Sequence, residues 1–293
     1  MVLHVWMATL FLLAGSVRVA AFPGTSTGEV RSQVIDTVML RTVPLVEGLE
    51  NAHSMVFRPD DELIITESDA DRIAAFRVFV DEQEAAEPED IFLPDLDRPQ
   101  GLSLQAGINT VIISAGTAQV HLLDESMGYL QSLAVPNWVT GNGSFEPSDV
   151  TTNSIGEIYI LDTNQKRIYH FNANGSYLQH IMVDEIERPT ALVYAEESLF
   201  VSDSGSGRVY VLTENGHELA TIGTFPDLSR VRVIDRRIWV ISGRVIHEFN
   251  LYGEHLGNWA LEHPGESIQD LAIIDDQLFL LTSGSLYFAG SRN

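Results

Sequence analysis

Six apolar runs along the chain each end in a small or acidic residue, at Glu67, Ser114, Asp162, Asp203, Ser242 and Thr282. The intervals between these ends are 47, 48, 41, 39 and 40 residues. A self-similar period of this size marks a repeat architecture, in which each unit buries its faces against its neighbours. The clearest unit, ILDTNQKRIYHFNANGSYL at 160–178, is echoed by VSDSGSGRVYVLTENGHEL at 201–219. Asp162, Arg167, Ile168, Gly175 and Leu178 fall on Asp203, Arg208, Val209, Gly216 and Leu219, every pair 41 residues apart. Each unit reads as a β run, a polar hairpin, a second β run, a turn around Asn-Gly and a third strand. Asn174-Gly175 and Asn215-Gly216 tolerate the positive φ that tight hairpins demand. The acidic residue that ends the first run is suited to accept hydrogen bonds from hairpin N–H groups and so fix the turn.

A further short strand precedes each unit, opened by proline in Arg98-Pro99-Gln100-Gly101-Leu102, Glu146-Pro147-Ser148-Asp149-Val150 and Arg188-Pro189-Thr190-Ala191-Leu192. Degenerate versions begin near Ala52, Leu228 and Ile268. The repeat is therefore four strands, and six copies predict an all-β, six-bladed β-propeller of four-stranded antiparallel blades, the radial solution to exposed sheet edges. The sixth unit runs out of chain after Ser285-Leu286-Tyr287-Phe288-Ala289. Its fourth strand is expected from the N-terminal side, at 34–40, so that the last blade is closed by an N-terminal strand.

Composition adds compartment and partner class. The run VWMATLFLLAG at 5–15 is too short to span a bilayer, and Val19-Ala20-Ala21 offers small residues for cleavage. A signal peptide at 1–21 is expected, then a linker at 22–33, with the propeller occupying 22–293. This makes the protein secreted or periplasmic, with no stable membrane span after leader removal. An uncleaved anchor stays open, because His4 is the only basic-type residue before the run. The chain has no cysteine, so its stability must come from the β core. Its formal net charge of −24 excludes nucleic acid as a partner by repulsion. Two readings of the acidity remain open: adaptation to high salt, or ordinary acidity with a codon bias favouring arginine.

The order of proline and a small residue, a β run ending in Asp, Arg-Ile or Arg-Val, and a Gly three residues before a Leu resembles the NHL repeat. The resemblance is strongest in the third and fourth units, and the period covers about residues 51–293. It implies an NHL-type six-bladed propeller of the kind found in secreted bacterial proteins. It does not fix a function, since such propellers serve as binding platforms, lyases and metal-dependent lactonases alike.

In a propeller the innermost strands line the central channel, so aligned positions form rings. One ring is His53, Gln100, Ser148, Thr190, Ser229 and Gln269, and the next is Ser54, Gly101, Asp149, Ala191, Arg230 and Asp270. Both are polar or small, and the second is expected to bring two carboxylates and a guanidinium toward one axial space suited to a small polar ligand. A water-filled channel that is merely unobstructed explains the same residues. His53, Gln100, Asp149, Arg230 and Asp270 are the candidate ligand-binding set, and no catalytic residue, metal ligand or cofactor is assigned. The first reading is a non-catalytic platform binding a protein partner or small polar ligand on one propeller face. The alternative is a metal-dependent hydrolase or lyase, lactonase-like, for which the resemblance offers Asp149, Asp270 and Asn51.

Overall fold

The computed structural model describes residues 36–291 except 80, 81, 94, 141–143, 184 and 264. The expected leader, the linker and the first residues of the expected closing strand lie outside the described residues. Six antiparallel sheets follow one another along the chain, and each contains a run of four consecutive strands or its equivalent. The innermost strands are Ala52–Arg58, Pro99–Gln105, Pro147–Thr152, Pro189–Ala195, Leu228–Ile234 and Ile268–Ile274, in blades one to six. Each pairs with the next strand of its own blade. Among the described residues helix is confined to single turns at Pro59–Asp61 and Asn137–Thr140. In blade one the outermost position is filled by two short pieces, Glu84–Ala85 and Glu89–Ile91, drawn from the acidic segment after the third strand.

The apolar runs are continuous because their strands are buried on both faces. In blade three, Ile158 and Ile160 pack with blade-two residues such as Val111 and Val120. The intervening Tyr159 and Leu161 point the other way and pack with Leu192 and Val201 of blade four. The same division recurs around the ring, giving six hydrophobic clusters among the described residues, each between two neighbouring blades.

The residues that set the period are buried clamps. Glu67 Oε2 accepts from Glu50 N at 2.8 Å, Ser114 Oγ from Asp97 N at 2.9 Å and Thr282 Oγ1 from Ser285 N at 3.0 Å. Asp203 accepts most, from Arg188 N (2.6 Å), Glu187 N (3.0 Å), Gly205 N (3.1 Å) and Ser206 Oγ (2.7 Å). The turn expectation holds for glycine but not for its partner. Gly175 and Gly216 have φ of 77° and 82°, while Asn174 and Asn215 are absent from the left-handed residues. Asn172 Oδ1 accepts from Asn174 N and Ser176 N, and the register shifts beside it, as in a longer turn with a bulge. The two-residue turns with both φ positive lie instead between the first and second strands, at Glu196-Glu197, Asp235-Arg236 and Asp275-Asp276.

An N-terminal strand does close the last blade, but its position corrects the expectation of 34–40. The strand β1 (Thr37–Leu40) runs parallel to His255–Leu261 and adds a fifth strand to blade five. The closing strand is β2 (Val43–Glu47), antiparallel to Ser285–Ser291 in blade six. Leu40 is buried among residues of blades five and six, so the chain crosses between these blades at 41–42. One N-terminal segment thus fastens two outer edges where a single-strand closure would fasten one.

Candidate functional site at the propeller axis

Every innermost strand changes register near its start, and in each blade that step includes the residue of the first ring, joined in blade two by Gly101. A bulge re-aims the residue it contains. His53, Gln100, Ser148, Thr190, Ser229 and Gln269 are accordingly all half-buried, a polar rim around the axis. Ser54, Gly101, Asp149, Ala191, Arg230 and Asp270 are all buried. The second ring is therefore a layer of inter-blade contacts, and its charges are matched within the protein.

Asp149 Oδ2 accepts from Leu192 N of blade four at 2.9 Å and from Arg230 Nη1 at 3.4 Å. Asp270 sits across the ring and does the equivalent for blade one, accepting from Met55 N at 3.0 Å and Ser54 Oγ at 3.1 Å. Arg232 grips Asp270 through Nε at 2.7 Å and through Nη2. Arg230, from blade five, donates to Gln269 O at 3.0 Å and through Nη2 to His53 O and His53 Nδ1, both at 3.3 Å. Acceptors from blades one, three and six thus converge on one guanidinium whose side chain is 4% exposed.

These contacts set the protonation states. Burial alone would raise the Asp270 carboxyl, but Arg232, Arg230 and the Met55 N–H outweigh it and hold it below the usual carboxylate range. Burial first, then the Arg230 charge, pushes His53 down to about 3, against the opposing pull of Asp270. The imidazole is neutral at physiological pH. Because Nδ1 accepts from Arg230, its proton sits on Nε2, which is left as a donor.

Four of the five sequence-chosen site residues, His53, Asp149, Arg230 and Asp270, meet in this network. Gln100 stays on the rim, where its carbonyl accepts from Thr66 Oγ1 at 2.7 Å. Arg232 was missed, although Arg-Val-Arg on one innermost strand is conspicuous in a chain with 17 basic residues. Gly101 belongs here for a steric reason: a Cβ would lie 2.6 Å from Asp149 Oδ1 and 2.7 Å from its Cα. Away from the axis, a cleft of about 630 Å³ opens between blades one and two, but its Arg58 is already engaged by Glu62 and the Glu125 carbonyl.

The chain is a six-bladed β-propeller. No known protein family and no curated protein matches its sequence. Among solved structures it is similar to a gluconolactonase from Xanthomonas campestris, at TM-score 0.67 and 15% identity over 94% of this chain and 90% of that one. It is also similar to a calcium-binding protein, regucalcin, from Agrobacterium tumefaciens (0.66, 13%, 87% and 95%). A virginiamycin B lyase from Staphylococcus aureus aligns at 0.61 and 11% over 81% and 79%. At these identities the likeness shows the fold alone. The divalent cation that the metal-dependent alternative would need does not fit the residues present. Asp149 and Asp270 face guanidinium groups, and Asn51 Nδ2 is turned to Asp69 at 3.1 Å in an exposed contact. Among the described residues no group of three or more His, Asp or Glu is placed to hold a metal.

Proposed function

We propose that the protein binds a small, neutral, polar ligand at the axial rim and acts on it by hydrolase or lyase chemistry. The resemblance in fold to lactonase- and lyase-named propellers supports the chemistry. The observation that carries the ligand class is the charge beneath the rim. Two guanidinium groups and two carboxylates cancel around a neutral imidazole, leaving hydroxyls, amides and His53 to meet a ligand. A neutral imidazole that donates Nε2–H can polarise a carbonyl without first losing or gaining a proton. His53 is the group suited to that step on a lactone or ester.

The test is to incubate the protein with a panel of neutral lactones and esters and follow ring opening by pH-stat, beside His53→Gln. Turnover that falls at least tenfold in a folded His53→Gln variant is the expected result. Binding without turnover would instead favour the second reading, a non-catalytic platform, which the prior engagement of both axial acids also supports. Absence of both binding and turnover would overturn the axial site.

The NHL-type assignment and export to the periplasm or exterior belong to the same reading. They rest on the repeat pattern of units three and four and on the apolar run at 5–15. Among the described residues no helix is long and apolar enough to cross a membrane. Recovery of exported protein beginning near residue 22 would support this; an intact Met1 in the exported fraction would overturn it.

A further inference from the structure

We infer that Arg230 is a built-in axial cation, occupying the place that a divalent ion would need and making the ring independent of metal. The inference goes beyond the proposed function and stands whether or not the rim turns a ligand over. Its basis is the coordination of one buried charge by acceptors from separate blades. Around the guanidinium lie Gln269 O at 3.0 Å, His53 O and Nδ1 at 3.3 Å, Asp149 Oδ2 at 3.4 Å and Asp270 Oδ1 at 3.9 Å. Two carboxylates, two carbonyls and an imidazole nitrogen are what a bound cation would draw around itself, the oxygens suiting a hard ion such as calcium. Here a covalently tethered charge satisfies them, and Arg232 supplies the second charge that Asp270 requires. A guanidinium that is planar, permanently charged and rich in directed donors can serve several blades at once, as a dissociable ion does.

Divalent cations should therefore leave the wild-type protein unaffected and gain a site when Arg230 is removed. Wild type, Arg230→Gln and Arg230→Lys would be compared by elemental analysis after dialysis against calcium or manganese, and by thermal melting with and without the ion. Expected are no retained metal and no melting shift in wild type. Arg230→Gln should melt lower, bind the ion at least tenfold more tightly and recover melting temperature when it is supplied, an effect lost on adding Asp149→Asn. Arg230→Lys, which keeps one tethered charge, should remain indifferent to metal. If Arg230→Gln does not fold without metal, folding in its presence is the expected rescue. A divalent ion retained stoichiometrically by wild type would overturn the inference. So would a folded Arg230→Gln that ignores metal, or an unfolded one that metal does not rescue.

Discussion

Asp162 and Asp203 occupy the same place in consecutive repeats and both are fully buried, yet their substitution by asparagine should have different consequences. Asp203 accepts four hydrogen bonds, and its carboxyl is held below the usual range although burial by itself would raise it. An asparagine there keeps one oxygen for Arg188 N and Gly205 N but puts an amide NH2 against Glu187 N and Ser206 Oγ. Two charge-assisted bonds are lost, which at about 1.5–3 kcal/mol for a bond to a charged group, discounted for relaxation, predicts a cost of roughly 2–4 kcal/mol. That corresponds to a fall of roughly 5–10 °C in melting temperature for a domain of this size. Asp162 Oδ1 accepts from Gln165 N at 2.9 Å, but Oδ2 has no partner. Its carboxyl is raised, by burial foremost and also by Glu146, against the pull of nearby backbone N–H groups. Part of the contrast is Ser206, whose hydroxyl donor is replaced by Gln165 one repeat earlier, and the rest is the Glu187 and Arg188 N–H groups that Asp203 accepts from.

The two residues should also respond oppositely to pH. A carboxyl with a lowered folded pKa adds stability that is fully present above the unfolded value, about 3.9, and is lost as pH falls through the folded value. The Asp203→Asn deficit should thus be complete at neutral pH and shrink in strong acid. A carboxyl with a raised folded pKa loses stability as pH rises from the unfolded to the folded value, so Asp162→Asn should be neutral or stabilising at pH 7 and indistinguishable from wild type in strong acid. Urea unfolding of the three proteins from about pH 8 into strong acid, well below the unfolded carboxylate value of about 3.9, measures both effects. Equal losses for Asp162→Asn and Asp203→Asn at pH 7 would refute the reasoning.

Three other outcomes are expected. Gly101→Ala forces a Cβ against the Asp149 backbone and should destabilise by about 1–3 kcal/mol in chemical denaturation, since a main-chain atom cannot give way as a side chain can. Glu197 has φ of 57° in a two-residue hairpin, and a non-glycine residue there bears a left-handed penalty of roughly 1–2 kcal/mol. After glycine's own entropic cost of about 0.5–1 kcal/mol, Glu197→Gly should stabilise by several tenths to about 1 kcal/mol, read as a higher denaturation midpoint. Truncation through residue 42 removes β1 and should lower the melting temperature modestly with cooperativity intact. Truncation through residue 47 also uncovers Leu286 and Phe288 in blade six and should abolish a single cooperative transition, seen by calorimetry.

The axis bears on what a propeller of this kind can be asked to do. Both axial carboxylates already face guanidinium groups, with Asp149 Oδ1 buried and unpartnered, so the proposed chemistry is placed on the rim and His53. The rim is also the layer that the bulges expose, and the bulges occur in all six blades. Ligand access and blade geometry are thus set by the same backbone feature.

The sequence alone determined the number of blades, because a strand buried on both faces must be apolar throughout and must end where a clamp residue begins the next turn. Ile158–Asp162 shows this: four apolar residues facing two different neighbours, then the buried acid. The clamp role of Asp203 and the ring membership of His53, Asp149, Arg230 and Asp270 were legible for the same reason, since the period carries aligned positions around the axis. Three things were decided only by the tertiary structure. Which N-terminal residues close blade six depended on pairing in space, because 37–40 and 43–47 are both short β-type runs and only the fold assigns one to each blade. The acidic pairs in left-handed hairpin turns gave no local signal, since their conformation is imposed by the strands on either side. Above all, the second ring's burial follows from the bulge beside it. A one-residue change of register turns side chains from the channel to the inter-blade contact, and it makes Arg230 a tie between blades rather than a charge facing solvent.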